Sequence, residues 1–335
     1  MTPLRVAFFG TPAFALATLE RLAGSVHHVT LVVTQPDRPR GRGQHVVASP
    51  VKAFAVARDI PVRQPDRLRD ESVLAELADL NLDLGVVAAY GRILPAALLS
   101  IPRLGMINVH ASLLPRWRGA APVHRAILAG DRETGVTIMR VVPALDAGPM
   151  LAKERISIGP HETSAVLESR LAALGADLLV QTVNRLSAGP IPEEPQDESL
   201  VTYANRLERS ESRVDWQRPA TEIHDRIRGL QPWPVATALF HGRRLRLLGS
   251  VVEDMEDGTE ERNPVSYDAT RKPGFFLPGT ITAVDHDGFV VACQPGAVRI
   301  VRVQLEGRAP ATAQAFLNGH SVSVGDTLDP LPADA

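Results

Sequence analysis

The chain is expected to fold as α/β, with a doubly wound, mostly parallel sheet followed by a small β-barrel domain. Three observations predict this. Between Leu4 and Val109, continuous apolar runs alternate with segments of helical spacing, as strands buried on both faces alternate with crossover helices. From Val235 onward the pattern becomes short strands separated by Gly, Asp and Pro turns, which suggests a barrel. A length of 335 residues suits two domains better than one.

Leu4 to Phe9 reads as the first strand, Gly10-Thr11-Pro12 as its turn and Phe14 to Leu22 as a helix. The turn lacks the second and third glycines of GxGxxG, which argues against a dinucleotide site. Val29 to Thr34 supplies the next strand. Leu84 to Ala89 and Met106 to Val109 supply later ones, with Val73 to Leu80 as an intervening helix. Gln35 to Gln44 carries no apolar residue other than proline and presents Arg38, Arg40 and Arg42, so it reads as a long exposed loop able to order on contact with a partner. Thr163 to Leu186 is a long helix with Thr163 as its cap. The proline-rich stretch from Pro190 is a linker, giving domains 1–189 and 209–335 joined by 190–208. Past it come a helix over Pro219 to Arg228 and strands over Ala236 to Phe240, Arg244 to Val252, Gly279 to Val284, Gly288 to Ala292 and Val298 to Val303. Glu253 to Gly274 interrupts them as an acidic insertion.

Composition excludes several classes. No run approaches the 18 or so apolar residues of a membrane span, and the N-terminus enters a strand directly without a signal-peptide pattern. With Cys293 as the single cysteine, no intrachain disulfide is possible, and a reducing cytoplasm fits. No metal is expected, because the ten histidines form no HExxH or cysteine-rich spacing. The formal charge of −2 gives no global basic footprint for nucleic acid. The charge is uneven, however: Arg209 to Ser250 holds eight Arg against four acids, whereas Val251 to Thr270 holds seven acids against one Arg.

The stretch that carries chemistry runs from Gly105 to Asp146. Asn108 and His110 lie at a strand mouth, two apart, so that their side chains share a face. An amide and an imidazole so placed can both donate to an oxygen that gains charge under nucleophilic attack. Asp146 follows a largely apolar run, 36 residues after His110, and could position the attacking group, hold the imidazole tautomer or collect a proton. Ser112 lacks the GxSxG elbow of a nucleophile.

Asn108-x-His110, the run Ser112-Leu113-Leu114-Pro115-Arg116-Trp117-Arg118-Gly119-Ala120-Ala121-Pro122 and the distant Asp146 together resemble the active-site segment of the folate-dependent formyltransferases, most closely the branch that acts on methionyl-tRNA. Thr202-Tyr203-Ala204, Val214-Asp215-Trp216 and Pro232-Trp233-Pro234 also resemble that branch. The resemblance implies a Rossmann-like catalytic domain, an OB-like barrel that binds tRNA, 10-formyltetrahydrofolate as donor and the α-amino group of methionine on initiator tRNA as acceptor. It implies a monomer. It further implies catalysis by Asn108, His110 and Asp146, and folate contacts from Ser112, Leu113, Leu114 and Pro115, with Tyr90 and Gly91 in another pocket wall. tRNA contacts would come from Arg38, Arg40 and Arg42 in the loop and from Arg206 and Arg209 near the linker. Arg116 and Arg118 are left open between tRNA phosphates and solvent. A formyltransferase acting on a nucleotide or amino-sugar amine is the alternative, as is an inert folate- or RNA-binding protein.

Overall fold

The computed structural model describes residues 2–40, 45–253 and 276–332, which divide into two compact units. Unit 1 takes 1–123, 133–158 and 166–206; unit 2 takes 124–132, 159–165 and 207–335.

In chain order the elements up to residue 204 are β1 Arg5–Gly10, α1 Ala13–Ala23, β2 His28–Val33, β3 Arg38–Arg40, β4 His45–Val47, α2 Pro50–Val56, β5 Val62–Arg63, α3 Glu71–Asp79, β6 Leu84–Ala88, α4 Ala96–Leu99, β7 Met106–His110, β8 Arg118–Gly119, α5 Pro122–Leu128, β9 Glu133–Arg140, β10 Met150–Ser157, α6 Ser164–Ala188 and β11 Tyr203–Ala204. The main sheet has the order β10-β9-β7-β6-β1-β2-β5. Strands β5, β2, β1, β6 and β7 are parallel, and β9 and β10 add an antiparallel edge. Every residue of β6 is buried, as its uninterrupted apolar run requires of a strand covered on both faces. Phe9, Leu31, Val33, Leu77, Val87, Tyr90 and Leu98 belong to one core cluster. Fully burying each large side chain there contributes roughly 1.5–3 kcal/mol. The chain runs outward from β1 in both directions, to β2 and to β6, so ligand-binding loops belong at the carboxyl ends of these central strands.

Two expectations are corrected in unit 1. The Arg-rich segment is not structureless throughout: β3 and β4 pair antiparallel, with Arg38 opposite Val47 and Arg40 opposite His45. Its root is clamped. Gln64 Nε2 donates to Gln35 O and Asp37 Oδ1, both at 2.8 Å, Gln35 Nε2 donates to Tyr90 O at 2.7 Å, and Lys52 pairs with Asp37. Lys52 and Gln64 hold the Asp37 carboxyl below the usual range. The second concerns the stretch expected as a linker, of which residues up to Arg206 are built onto unit 1. Glu194 and Met150 exchange backbone hydrogen bonds of 2.8 Å, and β11 pairs in parallel with β8.

The remaining elements are α7 Ala220–Gly229, β12 Thr237–Phe240, β13 Arg243–Glu253, β14 Ile281–Asp285, β15 Gly288–Ala292, β16 Ala297–Leu305, β17 Ala311–Thr312, α8 Ala313–Leu317 and β18 Leu328–Pro330. The sheet is antiparallel, in the order β14-β15-β16-β13-β12-β18 with β17 on β16. A bridge between Thr280 and Thr327 joins the two end strands, so the sheet curls onto itself as an OB-like domain should. Leu245, Leu247, Ile281, Phe289, Val291, Val298 and Ile300 fill it. All but the first residue of the acidic insertion from Glu253 to Gly274 lie outside the described residues, with no structural account.

Unit 2 buries a histidine with consequences for acid stability. His224 Nε2 lies 2.8 Å from Pro160 O, which can only accept, so Nε2 carries the proton and Nδ1 accepts from Ser250 Oγ at 2.9 Å. Burial pushes the His224 pKa down, and burial with neighbouring Arg125 does the same for His124. With folded-state values below the unfolded value of about 6.5, the unfolded chain binds more protons in acid. The stabilisation is fully present above pH ~6.5 and is lost as pH falls below it, at up to ~1.4 kcal/mol per pH unit for each histidine. The thermal midpoint is expected to drop between pH 7 and pH 5.5, and His224→Gln to flatten that slope; an unchanged slope in the variant would remove His224 from the account.

Candidate active site

The site is assembled at the carboxyl end of β7 and the turn after β9. Asn108 pairs with Val87 on one side and Met139 on the other, which fixes its place in the sheet. It is half-buried, and among the described residues its side-chain amide has no protein hydrogen-bond partner. His110, 6% exposed, turns Nδ1 toward Asp146 Oδ2 at 3.8 Å. The three predicted catalytic residues therefore converge: two share a strand and the third reaches the same imidazole. Asp146 has φ +46° and Trp117 φ +68°. The left-handed region suits Asp but is a true outlier for an aromatic residue, and such strain costs of order 1–3 kcal/mol at functional sites.

One expectation about His110 changes. Nε2 lies 2.9 Å from the Trp117 carbonyl, which can only accept, so Nε2 keeps its proton. In the neutral ring Nδ1 then presents a lone pair, and only the imidazolium can donate from that nitrogen. Asn108 can donate in either case.

Asp146 is held from the side. Gly119 N donates to Asp146 Oδ2 at 2.8 Å, while Oδ1 has no protein partner among the described residues. Gly119 must be glycine: its φ is +124° and a Cβ there would lie 2.7 Å from Ala204 O. Gly148, in the same turn as Asp146, is equally constrained, since a Cβ would lie 1.9 Å from Arg140 O. Sequence reasoning missed Gln196. Its Nε2 donates to Asp146 O at 2.7 Å and to Gly148 O at 2.8 Å, and its Oε1 accepts from Arg118 Nε at 2.9 Å. Arg118, 3% exposed, also pairs with Glu198 at 2.7 Å. It is buried and paired within the fold, which corrects the reading of it as a solvent-facing cation. Arg116 is exposed and stacks its guanidinium 4.3 Å over the Trp117 ring.

The turn after β7 locks itself. Ser112 Oγ donates to Arg116 O at 2.7 Å, and Thr137 Oγ1 donates to Ser112 O at 2.7 Å while accepting from Leu114 N at 3.1 Å. The Ser112 hydroxyl is thus committed to the fold. Leu113, Leu114, Pro115 and Arg116 line a cavity of about 540 Å³ with Lys153, Arg155 and Leu200, but none of the three convergent residues lines it. Tyr90 is placed with its ring in the core, edge-on to Phe9 at 5.9 Å, so this position offers its surroundings backbone rather than a side chain. Gly91 follows with φ +77°. Arg38, Arg206 and Arg209 are exposed; Arg42 lies outside the described residues, as does the side chain of Arg40.

An amide, an imidazole and a carboxylate thus gather at the mouth of a doubly wound sheet, a set of groups suited to acyl transfer. Residues 4–183 match the formyl transferase family and residues 206–321 its C-terminal domain. The methionyl-tRNA formyltransferase of Methylococcus capsulatus is 48% identical over 96% of this chain and 98% of its own. That of Stutzerimonas stutzeri is 47% identical over 92% of each. The chain belongs to the methionyl-tRNA formyltransferase family. Among solved structures, the N-formyltransferase of Helicobacter canadensis in complex with folinic acid and dTDP-3-aminofucose superposes with a TM-score of 0.64 at 16% identity, covering 89% of this chain and 98% of that one. HypX from Aquifex aeolicus, in complex with tetrahydrofolic acid, gives 0.60 at 16% identity over 94% of this chain and 47% of its own. Both are likenesses of fold. No helix among the described residues is long and apolar enough to cross a membrane.

Proposed function

We propose that this chain transfers the formyl group of 10-formyltetrahydrofolate to the α-amino group of methionine on initiator tRNA. The observation that carries the chemistry is the convergence of His110 and Asp146 at 3.8 Å beside an Asn108 amide free of protein partners among the described residues. Identity of 45–48% to methionyl-tRNA formyltransferases along nearly the whole chain supports the acceptor.

Asn108 donates to the formyl oxygen as negative charge builds there, joined by His110 Nδ1–H when the ring is an imidazolium; one preorganised donor of this kind is worth roughly 10² to 10³ in rate. Asp146 accepts a proton from the attacking amine on Oδ1, directly or through water, while Gly119 N–H keeps Oδ2 in place. A bond forms from the amine nitrogen to the formyl carbon, the bond from that carbon to N10 of the donor breaks, and the proton ends on N10. The donor is assigned to the Ser112–Pro115 turn and the backbone of Tyr90–Gly91. The acceptor stem is assigned to Arg38, Arg40 and Arg42 on the β3–β4 segment, to Arg206 and Arg209, and to the barrel domain from residue 209. These cations fix position through phosphates rather than read bases.

The acceptor class is tested by offering the protein 10-formyltetrahydrofolate with charged initiator tRNA, a dTDP-amino sugar or glycinamide ribonucleotide. Transfer to the tRNA alone is expected. Transfer to either small amine at a comparable rate would move the function to the small-molecule branch of the family.

A further inference from the structure

We infer that Gln196 is a positioning residue for the formyl-transfer site, and that the strap from Glu194 to Ala204 sets the geometry of His110 and Asp146 together; the catalytic consequence rests on the function proposed above. Gln196 Nε2 carries two hydrogens, and both go to the turn that bears Asp146, one to Asp146 O at 2.7 Å and one to Gly148 O at 2.8 Å. The amide oxygen is occupied by Arg118 Nε at 2.9 Å, and the same guanidinium forks onto Glu198. Gln196 therefore ties a left-handed, non-glycine turn to a buried, charge-paired arginine.

The strap also reaches the other half of the pair. Trp117 N donates to Thr202 Oγ1 at 2.9 Å, Arg118 N to Thr202 O at 2.9 Å and Ala120 N to Ala204 O at 2.9 Å. These bonds hold residues 117–120, whose Trp117 carbonyl accepts a hydrogen bond from His110 Nε2 and whose Gly119 N–H donates to the Asp146 carboxylate. One segment thus supports the partners of both titratable groups. A misplacement of about 1 Å at such a site costs about 100-fold in rate.

Gln196→Ala and Gln196→Glu test this. The glutamate keeps an oxygen for Arg118 but cannot donate to the two carbonyls, so it removes the positioning bonds without stranding the buried guanidinium. In Gln196→Glu, kcat for formyl transfer is expected to fall 10- to 100-fold with KM for donor and tRNA within about twofold, following the cost of misplacement. The melting temperature should stay close to that of the parent. Gln196→Ala should lose at least as much activity and melt lower. A second readout is independent of activity. The Gly119 amide proton, bonded to a carboxylate, is expected to move upfield in Gln196→Glu in the direction it takes in Asp146→Asn. Parental kcat in Gln196→Glu, or a Gly119 resonance that does not move, would overturn the positioning role. If the parent protein itself transfers no formyl group while the Gly119 resonance moves as expected, the proposed reaction falls and the structural role of Gln196 stands.

Discussion

Asp146→Asn is expected to lower kcat by roughly 10² to 10⁴, the range for losing a positioned general base, while leaving donor affinity nearly unchanged. The substitution is close to isosteric and electrostatically drastic. Asparagine tolerates the left-handed backbone at φ +46° as well as aspartate does, and its side-chain oxygen can still accept from Gly119 N–H. What disappears is the negative charge 3.8 Å from His110 Nδ1 and the oxygen that receives the amine proton. Turnover measured beside a donor-binding titration checks this. Parental kcat in the variant would remove Asp146 from the proton path, and a proportional loss of donor affinity would make it a binding residue.

Asn108→Ala is the second large effect, a fall in kcat of roughly 10² to 10³, as for removal of one oxyanion donor. Because Nε2 of His110 is committed to Trp117 O, a neutral His110 has no hydrogen to offer the substrate, and the asparagine amide carries more of the stabilisation than the pair of side chains suggests. The variant should remain folded. Asn108 is half-buried and its amide has no protein partner among the described residues, so truncation strands no buried group, and a stability change within about 0.5 kcal/mol is expected. A large loss of stability with unchanged kcat would make Asn108 structural.

What could be read from the chain, and what could not, divides by the range of the interactions. The parallel core was legible because Val6 to Phe9, Val29 to Val33 and Leu84 to Ala88 state their burial in their largely apolar composition. Asn108, His110 and Asp146 were legible as a group because Asn108 and His110 lie on one strand and the adjoining β9 leads into the turn that bears Asp146. Arg118 was misplaced because nothing near it reveals that the strap bearing Glu198, 80 residues on, covers it and pairs with its guanidinium. Gln196 was hidden for the same reason: a proline-rich polar stretch predicts a linker, and its two-residue pairing with β8 is made across 85 residues. The β3–β4 pairing was missed because Arg-Pro-Arg has no strand pattern. Tyr90 looked like pocket lining beside Gly91, yet its ring belongs to the core cluster with Phe9.

Initiator specificity is decided by single-turnover formyl transfer from 10-formyltetrahydrofolate to charged initiator tRNA, with charged elongator methionyl-tRNA as control. Formylation of the initiator and not the elongator is the result this account requires. Equal modification of both would contradict recognition of the initiator acceptor end, and modification of neither, with the donor still bound, would contradict the acceptor itself.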